Sequence, residues 1–240
     1  IDRDHLQDFT FLEFYWAYRD YEDVMRLVEK MYRCIIKATT GSLTTTWQGS
    51  KISWGKKWPR LDYYELFKGG TGLALASAST DDLKARAASF NLEGAHGTDV
   101  GRGRLIDLLF KKTVRPTLMQ PGFLINTPVE VEPLAKRMPA DPGRVERFQI
   151  VACGTEPGKG FSELNDPVDQ RGRFEEQMKL RESGDSEAQP LDEDFIEAME
   201  YGMPPMGGFG FSERLFAILM DKPVRETVMF PSLRRKENHT

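Results

Sequence analysis

"RFQIVACGTEPGKGFSELND", residues 147–166, holds two extended runs joined through the glycines at 154 and 158 and then meets a helix start. Glycine inside an alternating strand marks a bend or a place where something approaches the backbone closely. In the second run Lys159, Phe161, Glu163 and Asn165 share one face, because successive strand side chains point to opposite sides. Asp166 then reads as an N-cap and Pro167 as the first helical residue, where a missing N–H costs nothing. A lysine, an aromatic ring and a carboxylate on one face beside glycines suggest a surface that receives something.

Upstream, "FTFLEFYWAY" (9–18) also alternates, with Phe9, Phe11, Glu13, Tyr15 and Ala17 on one face and Thr10, Leu12, Phe14, Trp16 and Tyr18 on the other. The second face is expected to be core; the first sets a carboxylate among aromatics, where it needs a cationic or hydrogen-bonding partner. Asp20 followed by Asp23 predicts a helix start, and Val24, Leu27, Val28, Met31 and Ile35 keep helical spacing up to Gly41. Residues 42–60 predict a hairpin turning at Gly49-Ser50. Between 61 and 115 the chain reads as a mostly helical insertion, with "GGTG" at 69–72, a helix from Thr80 to Phe90 capped by Thr80 or Asp81, a glycine-rich connector, and a helix through Leu105, Ile106, Leu108 and Leu109. Domain organisation is thus expected as 1–60, 61–115 and 116–240, the first and last forming one domain. Strand-like sequence returns at 117–132; a second helix near 192–201 stops at Gly202 and Pro204-Pro205; "GGFGFSERLFAILM" (207–220) is a glycine-bearing strand running into a helix, with Arg214 at its start.

With 240 residues, 40% hydrophobic and 29% charged, the chain can bury one large core or two modest ones, and no apolar run approaches the roughly 20 residues that span a bilayer. No membrane segment is expected, and "IDRDHLQDF" lacks the features of a signal peptide. Two cysteines, Cys34 and Cys153, without CxxC or HxxxH spacing, argue against both a disulfide framework and a zinc site, so a reduced, cytoplasmic setting is expected. A net charge of −4 argues against a surface basic overall. From Glu163 to Glu200 thirteen acids face four bases, which reads mainly as helices solvated by carboxylates.

Two strands therefore carry a carboxylate and an aromatic together: Phe9, Glu13 and Tyr15 on one, Phe161 and Glu163 on the other. Paired carboxylates with aromatic walls suit an ammonium group, through charge-assisted hydrogen bonds and cation–π attraction. Half-exposed strands with ordinary surface acids give the same pattern. "GGFGFSER" lacks the GK[ST] ending of a phosphate loop, although its glycines beside Arg214 leave room for a nucleotide whose phosphate or base the guanidinium could meet. A structural arginine fits equally well. His5 stands alone as a surface histidine, and His96 and His239 carry no signal.

Taken in order, "RDHLQDFTFLEFYWAY", "VEVEPLAKR" (129–137), "GFSELNDPVDQRGRFEEQ" (160–177), "LDEDFIEAMEYGMPP" (191–205) and "GGFGFSERLFAILMDKPVRETVMFP" (207–231) resemble the catalytic domain of a class II lysyl-tRNA synthetase. The resemblance covers nearly everything outside 61–112. It implies an α+β fold, a six- to seven-stranded antiparallel sheet flanked by helices, binding ATP and lysine and forming lysyl-adenylate before transfer to tRNA(Lys). By similarity Phe9 would stack on adenine and His5 would lie near the ATP phosphates. Glu13, Tyr15, Phe161, Glu163 and Lys159 would form the lysine site; Glu156 would bind magnesium; Arg214 would clamp ATP. Arg214 and Glu156 are the catalytic candidates.

The resemblance also exposes departures. Motif 1, the first strand of motif 2 and the anticodon-binding domain would lie outside this chain, which alone should not charge tRNA; the full-length protein is expected to be a homodimer. Gln149 stands where a second acidic metal ligand is usual. Lys159 stands where asparagine is usual, and its ammonium could meet the substrate carboxylate or occupy the pocket and neutralise Glu163 or Glu13. The stretch at 207–231, which resembles motif 3, is one residue short of the usual form, since "GFGFSER" lacks the third glycine. Two other readings stay open on these grounds: a paralogue that lysylates a protein, and a regulatory module that binds lysine or ATP without turnover.

Overall fold

A computed structural model describes residues 6, 8–92, 100–182 and 188–230. An edge strand, β1 (Leu12–Ala17), leads into the long helix α1 (Tyr21–Thr40), the hairpin β2 (Thr44–Trp47) and β3 (Ser50–Ser53), and the short strand β4 (Arg60–Asp62). Three helices follow: α2 (Tyr63–Thr71), α3 (Thr80–Ser89) and α4 (Arg102–Leu109). The chain returns through β5 (Gly122–Ile125), the small pair β6 (Arg137–Met138) and β7 (Asp141–Val145), and the long strands β8 (Arg147–Ala152) and β9 (Thr155–Ser162). It closes with α5 (Pro167–Glu182), α6 (Glu193–Gly202), β10 (Met206–Phe211) and α7 (Arg214–Met220).

Six strands form the main sheet in the order β1-β10-β9-β8-β5-β4. Every neighbouring pair is antiparallel except β4 and β5, which run parallel, so the expected α+β architecture holds with one parallel pair at its edge. Alternation along β5 and β8 sends Phe123, Phe148, Ile150 and Ala152 into a core with α1, the hairpin and α7, and sends Leu124 and Val151 into a second core with α2, α3 and α4. Helices α2–α4 therefore cover only the β4–β5–β8 end of one sheet face. The remainder of that face, over β1, β10 and β9, is where the candidate site lies.

Helix ends follow local chemistry closely. Asp20 accepts from the Asp23 amide at 3.0 Å to cap α1, and Gly41 closes it at φ 73°. Asp166 accepts from the amides of Val168 and Asp169 at the start of α5. Ser79, rather than Thr80 or Asp81, caps α3 in a reciprocal box with Asp82. The hairpin turns at Gln48-Gly49, one residue earlier than expected, with φ of 46° and 78°; both central residues are left-handed, as a turn matching the strand twist requires. "GGTG" ends α2 and makes no phosphate-binding loop: Gly69, Gly70 and Thr71 are helical, and Gly72 is the αL cap. Of the stretch 117–132 only Gly122–Ile125 is a strand, because Pro121 and Pro128 bracket it. The proposed core face of β1 is also corrected: Phe14 packs on Phe209, but Leu12 and Tyr18 stay exposed, since an edge strand has a neighbour on one side only.

Candidate functional site

Strand register assembles the open face in two rows. Tyr15 lies opposite Gly208, Gly208 opposite Phe161, and Phe161 opposite Arg147; one step along, Glu13 lies opposite Gly210, Gly210 opposite Lys159, and Lys159 opposite Gln149. Two glycines thus form the floor between side chains of β1 and β9. At Gly208 the need is steric, since a Cβ there would run into the Glu163 carboxylate.

The cavity above this floor, about 500 Å³, is lined by Glu13, Tyr15, Phe161 and Glu163 together with Glu132 and Lys159. Tyr15 donates its hydroxyl proton to Glu13 at 2.5 Å. That bond, burial and two nearby carboxylates push the Tyr15 phenol well above its ordinary range. Burial first, then repulsion from Glu132 and Glu13, pushes the Glu163 carboxyl up to about 8, against a smaller opposing pull from Lys159. Such a carboxyl stays protonated until a cation arrives to share the pocket.

Next to it a smaller cavity, about 200 Å³, is lined by Phe9, Phe11, Glu156, Gly158, Lys159 and Arg214. Phe9 is half exposed and stands edge-on to Phe11 at 6.1 Å. In the same cavity the Arg214 guanidinium donates to the backbone carbonyl of Glu156 at 3.4 Å, held where the chain turns from β10 into α7. An aromatic ring and a planar cation on the walls of one cavity suit a flat base. His5 lies outside the described residues, as do His96 and His239.

A third cavity, about 690 Å³, runs between the sheet and α4–α5 and is lined by Arg102, Lys179, Arg147, Gln149, Glu156 and Lys159, among others. The Gln149 amide nitrogen donates to the Glu156 carboxylate, leaving the amide oxygen as a neutral donor beside a single charged one. Among the described residues no group of three His, Cys, Asp or Glu side chains could hold a metal ion. One carboxylate with one amide fits magnesium that takes its remaining ligands from phosphates and water, and does not make an all-protein cage.

Lys159 neither occupies the pocket between Glu13 and Glu163 nor pairs with either. Its ammonium meets Glu132 at 3.2 Å, and the same Glu132 oxygen meets Arg147 at 3.0 Å. Burial alone would raise Glu132, yet Arg147 and Lys159 hold it below its ordinary range. The sequence reading missed Glu132. Its signal was indirect: Arg147 opens a strand that is otherwise apolar apart from Gln149, and an arginine buried there needs an acid. Farther out, Arg173 is buried on α5 and pairs with Asp169 at 2.7 Å while donating to the Ala135 carbonyl at 2.6 Å. Asp169, which also pairs with Arg137, is therefore structural rather than one of the solvated acids expected of this region.

The family model for class II tRNA synthetases (D, K and N) matches residues 1–234. Among curated relatives, a lysine–tRNA ligase of Moorella thermoacetica is 42% identical over 240 residues, 99% of this chain and 49% of the relative. One from Roseiflexus castenholzii is 43% identical over 242 residues, again 99% of this chain and 49% of the relative. A lysine–tRNA ligase of Staphylococcus aureus is 40% identical over 238 residues, 97% of this chain and 47% of the relative. The chain thus spans about half the length of the curated relatives it matches.

Proposed function

Since the chain belongs to the class II tRNA synthetases of the aspartate, lysine and asparagine group, we propose that its open sheet face activates lysine with ATP, as part of a lysine–tRNA ligase. The observation that carries this reading is the pair of carboxylates, Glu13 and Glu163, set with Tyr15 and Phe161 in one cavity that adjoins the Phe9–Arg214 slot. A cavity with three carboxylates on its walls selects a cationic side chain and repels aspartate. The substrate ammonium meets Glu163 and Glu13, with Phe161 and Tyr15 closing around its methylenes. Adenine enters between Phe9 and Arg214, which directs the phosphates past Glu156.

In this geometry a lysine carboxylate oxygen attacks the α-phosphorus; a new C–O–P linkage forms, the bond to the β-phosphate oxygen breaks, and its electron pair leaves on pyrophosphate. No protein group needs to accept a proton, so the site works by positioning the two reactants and offsetting their charge. Arg214 meets negative charge on the nucleotide. Glu156, with the Gln149 amide oxygen, would hold magnesium, which when bound neutralises phosphate charge. The acceptor in the second step is tRNA(Lys), and the working protein is a homodimer in this reading.

The test is lysine-dependent exchange of pyrophosphate into ATP by the protein that carries this chain. Exchange with lysine, and with neither aspartate nor asparagine, is the expected outcome. No exchange with lysine across the full range of magnesium concentrations would refute the proposal.

A further inference from the structure

Gln170 lies one turn into α5, where its backbone amide donates to the Asp166 carbonyl, and it is 1% exposed. Its side chain nevertheless lines the cavity that holds Glu13 and Glu163. The side-chain nitrogen donates to the Pro133 carbonyl at 3.4 Å, and since a carbonyl can only accept, that contact fixes which end of the amide is the oxygen. The oxygen makes no hydrogen bond among the described residues, yet it is not sealed into the interior, so it faces the cavity. Its anchor is close to the carboxylates. Pro133 stands between Glu132 and Leu134, the Leu134 carbonyl accepts from the Leu164 amide at 3.0 Å, and Ala135 bridges Glu163.

We propose that Gln170 is a specificity residue of this cavity: its amide oxygen accepts one N–H of the bound ammonium beside Glu13 and Glu163, and so selects lysine against lysine methylated on the side-chain nitrogen. The inference rests on the lysine-activating reading. An ammonium carries three N–H groups, and each needs an acceptor once water is excluded. Glu13 on β1, Glu163 just past β9 and Gln170 on α5 bring three acceptors from three elements to one cavity. Methylation leaves the positive charge in place, so the carboxylates and the aromatic rings attract a methylated ammonium as well. What it removes is a donor, and a carbon then meets an acceptor that is left unpaired. A neutral amide suits this task, because it supplies the acceptor without a further charge in a cavity that already holds Glu13, Glu132 and Glu163.

The experiment compares calorimetric binding of lysine and N6-methyl-lysine to the parent and to Gln170→Met, in the protein that carries this chain, with ATP binding measured alongside. Methionine keeps the length of the side chain and removes the amide, and the Pro133 carbonyl keeps Arg173 as a donor at 3.3 Å. The parent is expected to prefer lysine by at least tenfold, the worth of about one hydrogen bond to a charged group. In Gln170→Met that preference falls to within about twofold, because lysine weakens while N6-methyl-lysine does not, and ATP binds both proteins alike. A preference unchanged in Gln170→Met, or absent from the parent, overturns the proposal and leaves the lysine-activating reading standing. Equal weakening of both amino acids, with or without loss of ATP binding, overturns it in favour of a structural role. Failure of the parent to bind lysine at all removes the functional reading and this inference with it.

Discussion

Glu163 is pushed up to about 8 by burial and by the neighbouring Glu132 and Glu13, so in the free protein near neutral pH it carries a proton. A lysine ammonium, with its own pKa near 10.4, binds best to the ionised carboxylate and must expel that proton. Calorimetry at pH 7 in buffers of different ionisation enthalpy should therefore read release of close to one proton per lysine bound. Affinity should climb with pH and level off above about 8; zero release would contradict the placement of the ammonium on Glu163. Replacement by glutamine should abolish the proton release and weaken lysine by about 10- to 100-fold, the worth of one charged hydrogen bond of about 1.5–3 kcal/mol. The sign for stability runs the other way. The folded state binds the Glu163 proton more tightly than the unfolded chain, whose glutamate has the ordinary value of 4.5, so this group's contribution is full below that value and is lost as pH rises to about 8.

Strands β1, β10 and β9 act as a unit because glycine alternates with phenylalanine along β10: Phe209 and Phe211 go to the core with α1, and Gly208 and Gly210 leave the opposite face bare. A methyl group at 208 would claim the space of the Glu163 carboxylate. Gly208→Ala should leave the chain folded at a cost of about 1–3 kcal/mol, the usual penalty for overfilling a packed site, while lysine affinity falls at least tenfold. Denaturant unfolding and calorimetry on the same variant separate the two effects; unchanged lysine affinity would mean that Glu163 has room to move aside. Much at this scale was legible in the sequence. Both ends of α1, the start of α5 and the stop of α6 depend on a cap or a breaker within a few residues, and those signals are local. Glu13, Tyr15, Phe161 and Glu163 were legible for a similar reason, since alternation fixes which residues share a face and register then brings the two strands within one cavity. What could not be read was decided at a distance. Phe14 is half buried while Leu12 is not because β1 is an edge, a fact set by topology rather than by its own pattern. Lys159 turned from Glu13 and Glu163 to Glu132 because a segment 27 residues upstream delivers that acid to the strand, where the buried Arg147 of β8 also meets it.

Across the whole molecule the sheet is shared: alternate residues of β5 and β8 belong to two cores on opposite faces, so neither core is complete without the same two strands. The stretch 61–115, which reads as an insertion, contributes Phe67, Leu83, Leu105 and Leu109 to the core that also holds Leu124 and Val151 of those strands. Its helices also wall off one end of the face whose other end holds the candidate site. If the insertion were energetically separate, damage there would stay there. Phe67 is fully buried, and truncating such a ring to alanine costs about 3–5 kcal/mol through lost burial and the cavity left behind. All four tryptophans, at 16, 47, 54 and 58, lie outside that core, with Trp54 and Trp58 buried in the other. Tryptophan fluorescence of the 240-residue chain thus reports unfolding of the first core alone. We expect Phe67→Ala to move that fluorescence transition by the full 3–5 kcal/mol, in step with loss of helical circular dichroism, because melting α2–α4 bares Leu124 and Val151 and unseats Phe123 and Phe148 on the same strands. A tryptophan transition left in place while part of the helical signal melts early would instead make 61–115 a unit that folds by itself, and would separate the wall of the site from its floor.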